Sequence, residues 1–88
     1  MRTLANRRTK QVRATGVRFV SDVVYVVLSD GREVALNLRR VAWLRWLRKA
    51  TAAQRAAWSI KPGGFAVYWN ELDDGIEVCH ILGTQPIS

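Results

Sequence analysis

The sequence predicts an α+β domain: an antiparallel β-meander with an Asp-Gly hairpin, two short helices packed on it, and a C-terminal strand followed by a short helical turn. Three observations carry that reading. β-Branched and aromatic residues cluster over residues 17–28, which suits a pleated, half-buried surface. Asp30-Gly31 separates two such stretches and supplies the positive φ that a tight hairpin needs. Thr51 and Gln54 have the spacing of a capping box, in which each side chain satisfies a backbone amide at the other position.

Taken in order, residues 1–11 show no sustained hydrophobic period and read as a flexible basic arm, leaving residues 12–88 as one small domain. Val17 and Phe19 begin the first strand, Ser21-Asp22 turns the chain, and Val23 to Leu28 forms the second strand. After Asp30-Gly31 the third strand should point Val34 and Leu36 inward and leave Arg32 and Glu33 near solvent. Asn37 is placed to cap a helix from Leu38 to Ala50. At 100° per residue this puts Trp43, Leu44, Trp46, Leu47 and Ala50 on one arc and Arg45, Arg48 and Lys49 on the other. The capping box opens a second helix from Ala52 to about Ala57. Pro62-Gly63-Gly64 makes a break, residues 65–69 form a strand, and residues 76–82 form a short strand or helical turn. Trp43, Trp58 and Trp69 are expected in the core.

A chain of 88 residues buries only about 60–65% of its unfolded surface, so it has room for one site at most. No apolar run approaches the roughly 20 residues of a membrane span. The opening residues lack the pattern of a secretory signal, and the single Cys79 cannot pair internally, so a cytoplasmic setting is expected. Cys79 lies among apolar neighbours and is expected to be a buried packing residue. The net charge of +7 is unevenly spread. Residues 1–20 hold Arg2, Arg7, Arg8, Lys10, Arg13 and Arg18 and no acid, whereas residues 62–88 hold Glu71, Asp73, Asp74 and Glu77 and no cation.

Catalytic and metal chemistry find little support. The sole histidine, His80, has carboxylates upstream at Glu71, Asp73, Asp74 and Glu77, but no nucleophile motif or phosphate-cradling loop accompanies it. One His adjacent to one Cys lacks zinc-ligand spacing, and the acids do not match a calcium loop, so neither metal nor cofactor is expected. Nucleic-acid binding has better physical grounds, because Arg2, Arg7, Arg8, Lys10, Arg13 and Arg18 would attract phosphates. Four to six such contacts would give a log–log salt slope of roughly −4 to −5. Arg39, Arg40, Arg45, Arg48 and Lys49 could extend that surface, with Trp46 stacking on a base. Arg45, Trp46, Arg48 and Lys49 suit a protein interface equally, since Trp and Arg are enriched at hot spots. Glu71, Asp73 and Asp74 could receive a basic partner.

Three segments taken together resemble the bacterial "domain of unknown function 2442" family: Ser29-Asp30-Gly31-Arg32, the run Ala50-Thr51-x-x-Gln54-Arg55-x-x-Trp58, and Trp69-x-x-Leu72-Asp73. The likeness covers about residues 12–83 and implies a small α+β domain of meander and helices. This chain departs from the family pattern in lacking a proline in the first helical segment, and in having Gly75 where relatives tend to have an acid. The resemblance also implies a binding or regulatory role, since some relatives resemble the antitoxin half of toxin–antitoxin pairs.

The expectation is therefore a non-enzymatic, macromolecule-binding regulator of bacterial or phage origin. A protein partner such as a toxin or a host complex is favoured, and a nucleic-acid-binding protein is the alternative. A phage-type inhibitor of a bacterial defence complex is a further alternative, and an open sheet edge would allow a homodimer.

Overall fold

The computed structural model describes residues 11–83, and the α+β expectation holds. Arg2, Arg7, Arg8 and Lys10, the bulk of the basic arm, lie outside the described residues. Strands β1 (Ala14–Val20), β2 (Val23–Leu28) and β3 (Glu33–Asn37) form an antiparallel meander. The alternation in β2 buries Val24, Val26 and Leu28, and in β3 it buries Val34 and Leu36, as their spacing requires. Ser21, at φ 53°, turns β1 into β2. In the β2–β3 hairpin only Gly31 takes positive φ, at 94°, while the Asp30 carboxylate accepts the Arg32 amide at 3.0 Å. The connection is a turn closed by a left-handed glycine rather than one with positive φ at both central residues.

The helix predicted from Leu38 to Ala50 is broken. The Asn37 side chain accepts the Arg39 amide at 2.9 Å, and its carbonyl accepts the amides of Arg40 and Val41, which completes one turn. Val41 then becomes extended (φ −94°, ψ 102°) ahead of a 3₁₀ turn at Ala42–Leu44 and the short helix α1, Arg45–Arg48. Packing explains the break. A continuous helix would set Leu38 about 180° from Leu47, yet Leu38, Leu44 and Leu47 are all fully buried. The interruption lets each reach the same core. Trp43, carried on the 3₁₀ turn, is consequently 39% exposed and is not a core residue.

Helix α2 (Ala52–Ala56) begins with the predicted capping box: the Thr51 hydroxyl accepts the Gln54 amide at 3.0 Å and the Gln54 side chain accepts the Thr51 amide at 2.9 Å. The segment after it, ahead of the turn at Pro62–Gly64, carries an element that the sequence pattern does not announce. This is strand β4, Trp58–Ile60, too short for a period of its own and held by pairing to β5, Ala66–Trp69. Strand β6 (Asp74–Glu77) completes a second antiparallel sheet in the order β4-β5-β6, and helix α3 (Val78–Gly83) follows directly. Within α3, Val78 and Ile81 turn inward at i and i+3, which leaves Cys79 exposed rather than packed.

A single apolar cluster draws on both sheets together with Leu38, Leu44, Leu47, Val78 and Ile81, with Trp69 its largest fully buried side chain. Trp58 is half-buried against it. The sheets also meet directly where β1 lies against β4 and β5.

Arg55 ties the helical segment to the meander. Its guanidinium donates to the Leu47 carbonyl at 3.2 Å, the Arg48 carbonyl at 3.0 Å, the Ser21 carbonyl at 3.4 Å and the Asp22 carboxylate at 3.3 Å. Asp22 also accepts from Arg39 at 3.3 Å, and these hydrogen bonds from Arg39 and Arg55 hold its carboxyl below the ordinary carboxylate range. Glu33 is lowered in the same sense by its bond from Arg18.

A depressed folded pKa stabilises the fold above the ordinary value near 4, and that contribution is lost as pH falls through the lowered folded value. Circular-dichroism melts should therefore show a midpoint that is steady down to about pH 5 and declines below about pH 4. Asp22→Asn should lower the midpoint at neutral pH and make the acid decline shallower. An acid decline parallel to that of the parent protein would remove Asp22 from the account.

Candidate binding groove

Strand β5 reads Ala-Val-Tyr-Trp, and its alternation sends Val67 and Trp69 into the core. Tyr68 goes to the opposite face, where its register partners are Ser59 on β4 and Gly75 on β6. A Cβ at position 75 would lie 2.5 Å from the Val67 carbonyl oxygen and 2.9 Å from Tyr68 Cδ1, so only glycine admits this approach. The Tyr68 ring therefore lies close over the Gly75 backbone.

Tyr68 and Gly75 line a groove of about 390 Å³ together with Trp43, Phe65 and His80 and with Lys61, Asp74 and Glu77. Its size lies within the range of small ligand pockets. The Trp43 and His80 rings meet edge to face at 4.4 Å. Phe65, just ahead of β5, is 54% exposed. Lys61 Nζ lies 4.2 Å from the centroid of the Tyr68 ring, a cation–π contact. The Tyr68 hydroxyl donates to the Asp73 carboxylate, and this bond, with burial and the charges of Asp73 and Asp74, pushes the phenol's pKa up. A phenol donating to a carboxylate has a more electron-rich ring, which strengthens its hold on a cation.

The acids differ in their pairing. Asp22, Asp30 and Glu33 pair with arginines, whereas Glu71, Asp73, Asp74 and Glu77 have no ion pair among the described residues. Asp74 accepts the Gly75 amide at 2.8 Å, and Glu71 is exposed. Arg45, Arg48 and Lys49 on α1 and at its end are exposed, as are Arg13 and Arg40, and none is ion-paired among the described residues. Arg18 is engaged on the meander, bonded to Glu33 at 2.9 and 3.1 Å and lying 4.0 Å over the Tyr25 ring. Trp46 packs edge-on against Trp69 at 5.6 Å and is half-buried. The exposed tryptophan of this segment is therefore Trp43.

His80 stacks on Trp43 and makes no hydrogen bond to a carboxylate among the described residues. No group of His, Cys, Asp and Glu in the described residues converges as a metal site, and no helix there is long and apolar enough to cross a membrane. Pro62-Gly63-Gly64 is a 3₁₀ turn.

Sequence reading singled out the α1 cations and the acids, but not Lys61, Phe65 or Tyr68. A signal was present: residues 65–69 are apolar at every position, so both faces of that strand carry apolar surface, and only one faces the core.

Residues 14–82 match the profile of a family described as protein of unknown function, DUF2442. The chain belongs to that family. Two solved structures share the DUF2442 fold seen here. One is a crystal structure of a protein of unknown function from Rhodospirillum rubrum, similar at 25% identity with a TM-score of 0.67, over 84% of this chain and 88% of that one. The other is a solution structure of an uncharacterised protein from Chromobacterium violaceum, at 21% identity with a TM-score of 0.70, over 99% of this chain and 78% of that one. A comparison with curated proteins found no match. In this DUF2442 fold, the run Ala50-Thr51-x-x-Gln54-Arg55-x-x-Trp58 has a structural explanation: a capping box, the Arg55 anchor and the start of β4.

Proposed function

We propose that this DUF2442 protein is a non-enzymatic binding module, an antitoxin-like regulator that docks another protein. The observation that carries the reading is the aromatic groove, where Trp43 and Phe65 are 39% and 54% exposed in a small domain whose other tryptophans pack. Tryptophan is among the residues most enriched at interface hot spots, and exposed aromatic surface of this kind is costly unless it is used. The unpaired Arg45, Arg48 and Lys49 follow Trp43 closely in sequence and would steer an acidic rim of the same partner. The exposed Cys79 thiol supports a reducing, cytoplasmic setting for such a regulator.

The test is a nuclease-treated pull-down from bacterial lysate in high salt, with the parent protein beside a Trp43→Ala, Phe65→Ser variant. The reading requires a discrete protein that is retained by the parent and lost by the variant. Identical capture by both, or no protein at all, would overturn it.

Nucleic-acid binding is the second reading, favoured by the exposed cations Arg13, Arg40, Arg45, Arg48 and Lys49, none of which is ion-paired among the described residues. Recovery of nucleic acid alone, released by salt, would support it.

A further inference from the structure

We infer that the groove takes an extended segment of the protein partner bearing arginine beside an apolar residue. The guanidinium would meet the carboxylates of Asp74 and Glu77 over the aromatic floor, and the apolar neighbour would cover Phe65. This rests on the protein-docking reading and names the chemistry of what docks.

Three features of the groove select this occupant. Its lining is acidic on balance, since Asp74 and Glu77 have no ion pair among the described residues and stand against one lining cation, Lys61. In a chain of net charge +7, that local field repels an anionic ligand and attracts a cationic one. The groove already holds one cation on a ring, Lys61 over Tyr68, whose hydroxyl is committed to Asp73, so an incoming guanidinium would take the exposed Trp43 ring instead. Arginine is better suited than lysine to join it, because a planar guanidinium can stack on a ring and bond a carboxylate at once. A second depression, lined by Val12, Val78, Cys79 and Leu82, shares Phe65 and Glu77 with the first, so an extended segment crossing those two residues would reach both. A compact small molecule would fill only one.

The test uses the full chain and fluorescein-labelled nonapeptides of alternating arginine and leucine, read by anisotropy. Matched peptides carry citrulline or glutamate in place of arginine. The arginine peptide should bind, and the glutamate peptide should not. Asp74→Asn with Glu77→Gln should weaken binding by about tenfold or more, as for loss of charge-assisted bonds. Both residues are exposed, and the amide oxygen that Asp74→Asn introduces can still accept from the Gly75 amide, so the fold should survive, which a thermal melt checks. Asp30→Asn with Glu33→Gln, which removes the same charge from acids that pair with arginines on the meander and do not line the groove, should leave binding unchanged.

Equal affinity for the citrulline peptide, sensitive to Trp43→Ala, would overturn the arginine inference and leave protein docking standing. Absence of binding by every peptide would overturn the inference while the lysate experiment still decides the broader reading. Displacement of the peptide by single-stranded DNA, or self-association abolished by Trp43→Ala, would assign the groove to nucleic acid or to a second copy and overturn it as well.

Discussion

Trp69→Ala is expected to abolish a cooperative melt at 37 °C. Trp69 is the largest side chain with no exposure, it belongs to the cluster that both sheets and α1 share, and Trp46 packs edge-on against it at 5.6 Å. Truncating a buried Trp costs about 3–5 kcal/mol, because the cavity adds to the lost transfer energy. Domain stabilities start near 5 kcal/mol, and a domain of this size belongs at the low end, so the loss is comparable to the whole. Trp69→Phe separates two contributions. It keeps a ring in the core but removes Nε1, which donates to the Arg55 carbonyl at 2.9 Å. That variant should remain folded with a loss of about 1–3 kcal/mol. A Trp69→Ala protein melting within a few degrees of the parent would show that the core closes without this side chain.

Arg55→Lys is expected to cost about 2–3 kcal/mol although it conserves charge. The guanidinium satisfies the Leu47 and Arg48 carbonyls at the end of α1 while reaching Ser21 and Asp22 on the β1–β2 turn. Its side chain is only 16% exposed, so water cannot readily replace those donors. A lysine ammonium cannot span the same fork. In a domain of this length the loss corresponds to a midpoint lower by roughly 10–20 °C. A double-mutant cycle with Asp22→Ala should show coupling of at least about 0.5 kcal/mol, because the two residues share one network. Additive losses would mean that Arg55 acts on the helix end alone.

Local chemistry was legible wherever a few adjacent residues decide the outcome. The Thr51–Gln54 box, the Gly31 turn and the inward pair Val34 and Leu36 are of that kind. Tertiary demand decided the rest. Leu38 and Leu47 both had to reach the core, which broke a helix that periodicity alone would continue, and the break carried Trp43 to the surface. The groove was illegible for the same reason. Trp43, Lys61, Tyr68 and Glu77 are far apart in sequence and are assembled by the pairing of β4, β5 and β6, of which β4 gave no signal of its own. Arg55 stood in a recognisable segment, but its acceptors are carbonyls on other elements, and carbonyls leave no mark in a sequence.

Both sheets are simple meanders, each strand pairing only with its neighbours along the chain. Short loops close at little entropic expense, so the pairing within each sheet is local, while the core that the sheets bury is common to both. What must come together last is the seam where β1 meets β4 and β5, along with the clasp of Arg55 on the β1–β2 turn. Since one buried cluster spans that seam, neither sheet can hide its apolar face without the other, and the domain is expected to melt as one unit.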